Sequence, residues 1–285
     1  MTMMLSASDS TVRVEVLGEE LRRLRDACGL TLAEVVSRIG ISESYLSRME
    51  KGKRVPSPED VSALLVVYGV KGDQRLELLT LAKRSNQPGF WQRDTSAETR
   101  FATLKLLESR ATSLVSFEPL IVPGLLQTMP YARSMVEQVC MVTEPKEIDN
   151  WVIGRVHRQG VLRKIDAPQL TAILAESALR NFVGGREVMR DQLRYLTEIT
   201  KRANVTLRIV PTMIGGHPGL LGSFLRMRFA DRPNVVFFEN QTSSLFLEEH
   251  SDTAAYDQAI NQLLDLAISE ADSVRLVTEM AATLE

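Results

Sequence analysis

TLAEVVSRIGISESYLSRMEKGKR, residues Thr31 to Arg54, reads as two short helices joined by a tight turn. The first spans about Leu32 to Ile39: Thr31 stands at its N-cap and Glu34 follows three residues on, the spacing of a capping box. Gly40 supplies the positive φ that a turn between crossed helices requires. Ser42 caps a second helix running to about Lys51, and Gly52 ends it. Val35, Val36, Ile39, Ile41, Leu46 and Met49 form one apolar seam between the two. The other face of the second helix carries Glu43, Ser44, Ser47, Arg48 and Lys51, and Lys51, Lys53 and Arg54 make a basic tail. A polar helix braced on a second one, with cations at its far end, suits the major groove of duplex DNA. The plainer reading is an αα-hairpin inside a larger helical domain, which does not call for cap, glycine and basic tail together.

The pattern from Gly29 to Pro56, GLT-x(3)-V-x(4)-GIS-x(2)-YLS-x(2)-E-x-G-x-R-x-P, resembles the λ-repressor-like, Xre-type DNA-binding domains. The resemblance covers Leu17 to about Arg84 and implies the five helices of that fold. Leu32 stands where many such domains carry a phosphate-bracing Gln, and Val36 where the helix crossing usually has Ala.

Working outward, 285 residues with 44% hydrophobic and 25% charged content describe a globular chain able to bury two cores. A net charge of -2 argues against a polycation that coats nucleic acid in bulk. The balance is local: residues 11–84 hold 13 Lys/Arg against 11 Asp/Glu, and four of the seven residues from Arg48 to Arg54 are cationic. DNA affinity is therefore expected from one patch, with steep salt dependence. Cys28 and Cys140 are far apart and offer neither metal spacing nor a disulfide framework. No apolar run approaches membrane-span length and the N-terminus lacks signal-peptide features, so the expectation is a cytoplasmic protein with no membrane association.

The expected domains are 1–14 as a disordered arm, 15–84 as an all-α helix-turn-helix domain, 85–100 as a linker and 101–285 as an α+β domain. A first helix from Leu17 to Cys28 puts Leu17, Leu21, Leu24 and Ala27 on one face, leaving Arg22, Arg23 and Arg25 to solvent or, less simply, to phosphates. Ser57-Pro58-Glu59-Asp60 is a helix start, and Gln74 to Arg84 closes the helical core. Ser85 to Gly89 breaks the pattern, and Phe90-Trp91 reads as an interface pair. Beyond it, helices are expected at Phe101–Thr112, Pro130–Cys140, Pro145 to Val161, Glu187–Arg202 and Asp252–Ser269, with helix again in the tail from Ser273. Extended runs are Ser113–Ile121, Leu170–Leu174, Val205–Val210, Phe224–Phe229, Val235–Glu239 and Leu245–Leu247. Strands clustered between helical blocks predict a largely antiparallel sheet with a helical C-terminus.

Glu118 to Thr128, Tyr131-Ala132, Arg155-x-x-Arg158-Gln159, Glu176-x-x-Leu179, Met189-x-x-Gln192-Leu193 and the segment Pro211 to Phe224 resemble an actinomycete regulator family. That family joins an Xre-type domain to a C-terminal domain without a settled activity and includes WhiJ-like developmental repressors. The resemblance implies transcriptional regulation, often beside a small antagonist protein encoded nearby.

No enzymatic pattern emerges. His157, His217 and His250 are scattered, so no metal is expected, and no cofactor motif or catalytic elbow is present. Gly215 to Gly219 does not open a helix and reads as a tight loop or lid. Arg155, Arg158 and Arg163 with Glu176 read as an internal ion-pair network or, more sharply, as an anionic-ligand pocket, to which His217 is added. Phe237-Phe238-Glu239 reads as a strand ending in a surface acid. The expected function is a homodimeric repressor on an inverted-repeat operator. Glu43, Ser44 and Arg48 would meet base edges, and Thr31, Ser47, Lys51, Lys53 and Arg54 the phosphates of double-stranded DNA. The C-terminal half would dimerise and bind an antagonist protein or an unknown small ligand. The alternative is an antitoxin-like interaction protein that sequesters a small partner and autoregulates its operon.

Overall fold

The computed structural model describes residues 11–85, 90–93, 97–140, 142–241 and 243–284. It forms two compact units, Met1–Phe90 with Asp231–Pro233 and Leu247–Glu249, and Trp91–Ala230 with Asn234–Phe246 and His250–Glu285. No described helix is long and apolar enough to cross a membrane.

Five helices build the first unit: α1 (Val12–Ala27), α2 (Leu32–Ile39), α3 (Glu43–Glu50), α4 (Pro58–Val67) and α5 (Gly72–Lys83). Hydroxyl caps set four of the five starts. Thr11, Thr31, Ser42 and Ser57 each accept from a backbone N–H three residues on. Leu17, Leu21, Val35, Leu46, Met49, Val61, Leu64 and Leu65 are fully buried in one core. Gly18 lets α1 lie directly on the end of α3, where a Cβ would stand 2.3 Å from the Met49 carbonyl oxygen.

Helix α1 begins five residues before the Leu17 start read from spacing, and takes residues 12–14 out of the expected arm. Residues 1–10 of that arm lie outside the described residues. The cause is a buried charge cluster within this unit. Arg232 pairs with Glu15 and, at 2.6 Å, with Glu248, which also accepts from the Val12 N–H at 2.7 Å. A carboxylate at the positive end of the helix dipole stabilises a first turn that sequence spacing alone leaves unassigned.

The second unit holds a mixed sheet. Its strands are β1 (Phe90–Arg93), β2 (Ser113–Glu118), β3 (Gln169–Ala175), β4 (Val205–Val210), β5 (Phe224–Arg228), β6 (Val235–Glu239) and β7 (Ser243–Leu247), in the order β1-β7-β6-β5-β2-β3-β4. Its helices are α6 (Ala97–Arg110), α7 (Met129–Ser134) running on through a π turn at Met135–Val139, α8 (Pro145–Arg158), α9 (Arg186–Ile199), α10 (His250–Leu266) and α11 (Glu270–Ala282). Strand β1 and the start of α6 fall within 85–100, the stretch read as linker; 86–89 and 94–96 lie outside the described residues.

The α+β class holds, and the sheet is mixed. Strands β2, β3 and β4 run parallel, while β5 is antiparallel to both β2 and β6. Connections that contain α7 and α8, or α9, bring the chain back to the same end of the sheet, as parallel pairing requires. Ser113 to Glu118 of β2 is buried at all but its two terminal residues, as suits a central strand.

Candidate functional site

The two motif helices form as their caps dictate. Thr31 accepts from the Glu34 N–H at 3.3 Å, and the Glu34 carboxylate accepts from the Thr31 N–H at 2.8 Å. Those Thr31 donations hold the Glu34 carboxyl below its ordinary range. Gly40 turns the chain at φ 76, and Ser42 accepts from the Tyr45 N–H at 3.2 Å.

On α3 the inward face is Leu46, Met49 and Glu50, all buried. Glu50 is gripped by Arg25 through two parallel bonds of 2.7 and 2.9 Å, and Arg25 also donates to the Leu30 carbonyl at 2.8 Å. Arg25 is therefore neither a solvated surface cation nor a phosphate ligand; it ties α1 to the end of α3. Arg23 pairs with Glu20 at 2.6 Å on the surface.

The outward face presents Glu43, Ser44 and Arg48, all exposed, with Ser47 half-buried beside them. Lys51, Lys53 and Arg54 follow, also exposed. Arg54 is fixed over the Tyr45 ring at 5.0 Å from its centroid, and the Tyr45 hydroxyl donates to Asp60 at 2.6 Å. Burial and that bond push the Tyr45 hydroxyl pKa up. Thr31 is exposed, but its hydroxyl donates to Glu34 at 2.8 Å, so that proton is already committed.

A cavity of about 370 Å³ lies in the second unit, between the sheet and α8. Trp151, Arg155 and Arg158 recur at helical spacing on one face of α8 and line it. The structure thus brings Arg155 and Arg158 together but leaves Glu176 and His217 elsewhere. Glu176 accepts from the Thr212 N–H and hydroxyl, each at 3.0 Å, and pairs with Arg180, all of which lower its pKa. His217 stacks edge-on against Phe117 with centroids 6.4 Å apart. Arg158 is spent on buried Glu108 through bonds of 2.9 and 2.6 Å, which answers the ion-pair reading for that residue. Arg155 reaches Gln127 at 3.4 Å and the Cys140 sulfur at 3.6 Å.

Sequence reasoning missed two lining residues, Glu118 and Glu239, which close β2 and β6. Burial first, then the neighbouring Glu239, push the Glu118 carboxyl up to about 8 against the pull of Arg155. A signal was present: Glu239 ends an otherwise apolar strand, and Glu118 ends one whose other polar residues are Ser113 and Ser116. Only the strand order shows that the two strands flank the same neighbour. Among the described residues no group of three or more His, Cys, Asp or Glu could hold a metal ion.

With this geometry in place, comparison with known proteins is informative at both ends. A helix-turn-helix domain profile matches residues 16–78, and the profile of a domain of unknown function (DUF5753) matches residues 101–279. Over 61 residues the chain is 39% identical to the HTH-type transcriptional regulator DdrOP3 of Deinococcus deserti, covering 21% of this chain and 47% of that one. Over 66 residues it is 38% identical to the uncharacterized HTH-type transcriptional regulator y4dJ of Sinorhizobium fredii, covering 23% of this chain and 82% of that one. The chain thus spans about half the length of the first relative and about four fifths of the second.

Proposed function

The chain belongs to the family of the domain of unknown function DUF5753, carries a helix-turn-helix ahead of that domain, and from this premise we propose that it is a sequence-specific DNA-binding transcriptional regulator. The observation that carries the reading is the division of labour on α3. Its buried acid is consumed by Arg25, while Glu43, Ser44 and Arg48 on the opposite face are exposed and enter no internal side-chain bond among the described residues.

Arg48 offers a planar fork to guanine O6 and N7, worth about 1–3 kcal/mol of discrimination. Glu43 accepts from cytosine N4, and Ser44 bonds either base type. Ser47, Lys51, Lys53 and Arg54 clamp the phosphates and so fix register without reading sequence. Arg54 comes pre-positioned by Tyr45. Thr31 can join the phosphate contacts only by giving up its donation to Glu34, so its first role is the cap.

The regulator acts as a homodimeric repressor, placing two copies of α3 about 34 Å apart on an inverted repeat. Its second unit dimerises and takes an antagonist protein or small ligand. Sequencing of DNA fragments bound by the purified chain gives the operator, and a gel-shift series then tests the reader. Arg48→Ala is expected to weaken the preferred operator about 5- to 150-fold, the equivalent of 1–3 kcal/mol, and to relax base choice at one position. Wild-type affinity with unchanged preference would remove Arg48 from the reading face.

A further inference from the structure

Two rows of side chains cross the sheet under the cavity. Ser116 of β2 is in register with Leu225 of β5, which is in register with Phe237 of β6. Two residues further along the same face stand Glu118, Ser223 and Glu239, and all six line the cavity. With strands about 4.8 Å apart, the two carboxylates rise on either side of β5 from backbones about 10 Å apart.

With Glu118 and Glu239 both ionised, the charge in this cavity does not balance. Glu108, Glu118 and Glu239 face Arg155 and Arg158, and Arg158 is already neutralised by Glu108. One guanidinium, Arg155, is left beside two carboxylates whose mutual repulsion helps hold a proton on Glu118. The walls include Trp151, Phe237 and Leu125; Glu118 is half-buried among them, and Glu239 stands exposed at the rim. An anion would meet both carboxylates; a cation relieves their repulsion. A metal ion needs a tighter donor set than the described residues supply. An apolar body, by contrast, fills the rest of a cavity within the size range of small-molecule sites.

We propose that this cavity binds a small organic cation, an amine with an apolar body, whose ammonium group sits between Glu118 and Glu239. The charged and titratable groups around Glu118 are Glu239 from β6, Arg155 and Arg158 from α8, Glu108 from α6, Tyr131 from α7 and Cys140 after the π turn. Loss of the Glu118 proton on raising pH strengthens the site while the amine stays protonated.

The test is calorimetric titration of the full chain with three probes of one shape: 4-phenylbutylamine, 4-phenylbutanol and 4-phenylbutyrate. The amine is expected to bind at least about tenfold more tightly than the alcohol, and the acid most weakly. Glu118→Gln and Glu239→Gln each cut amine affinity about tenfold or more but leave that of the alcohol. Circular dichroism shows that both variants fold. Amine affinity rises between pH 6.5 and 8.5 in the wild type, and Glu118→Gln abolishes the rise. No binding by any probe, no preference for the amine, preference for the acid, or indifference to both substitutions overturns the proposal. The proposal rests on the cavity and not on the regulator reading. A wild-type DNA complex without amine binding sinks this inference alone, and amine binding without a DNA complex sinks the other alone.

Discussion

Gly18 has no side chain because the backbone of another helix occupies the space one would fill. A Cβ there stands 2.3 Å from the Met49 carbonyl oxygen and 3.1 Å from that of Glu50, and backbone at a helix end cannot swing aside. Gly18→Ala is therefore expected to destabilise the first unit by about 1–3 kcal/mol, read by chemical denaturation, although alanine favours helix. An unchanged midpoint would mean that α1 and α3 can separate at no cost. Glu118 offers a second test. Its pKa of about 8 against 4.5 ordinarily means that the native chain holds a proton the unfolded chain releases between those values. More protons bound in the native state make stability fall as pH rises through that window and level off above it. Glu118→Gln removes this dependence. The variant is expected to match wild type near pH 5 and to melt several degrees higher near pH 8.5, measured by calorimetry. A difference of the opposite sign would place Glu118 ionised in the native state. Neither property is legible in sequence, since a glycine inside a helix and an acid after a strand are common and their neighbours are hundreds of atoms away along the chain.

At the scale of elements, the hairpin of α2 and α3 is legible because everything that makes it is local. Thr31, Glu34, Gly40 and Ser42 act within four residues of their partners, and the structure places the two caps and the left-handed turn where their spacing predicts. Gly40 also isolates a backbone effect: a Cβ there would touch nothing within 4 Å, so only its φ of 76 resists substitution. Gly40→Ala is expected to cost about 1–2 kcal/mol, and Gly40→Asn less, because Asn tolerates the left-handed region. Thermal melts of the two variants check the order; equal losses would point to contacts instead of backbone. The sheet was less legible. Short strands between Val205 and Leu247 suggest a meander, but the parallel half depends on which strands meet after helical crossovers. Strand composition does not encode that choice. The cavity shares the same blindness: Arg155 and Arg158 announce themselves by helical spacing, whereas Glu118 and Glu239 meet only once β5 lies between their strands.

For the whole molecule, the unit that carries the motif helices is not one continuous piece of chain. Asp231–Pro233 and Leu247–Glu249 complete it, and Arg232 and Glu15, each with 4% of its side chain exposed, are the pair at their meeting point. A fragment ending at Phe90 keeps every residue of α1 to α5 but loses the cation facing Glu15 and the carboxylate accepting from the Val12 N–H. Breaking such a buried pair by removing one partner costs about 3–5 kcal/mol when the remaining charge stays buried. In the fragment the loss falls on the first turn of α1 and not on the whole core. The expected result is a folded fragment whose α1 frays to near Leu17. Hydrogen exchange should show protection lost at the amides of Val14 and Glu15, which bond back to Thr11, and retained at Leu46 and Val61. In the full chain Arg232→Ala should be more damaging than the truncation, because it leaves both acids in place without their cation. Equal protection of the first turn in fragment and full chain would show that the distant segments are ornamental to the helix. Fraying confined to that turn would show instead that the start of α1 is written in Arg232 and Glu248, more than two hundred residues downstream of the helix they complete.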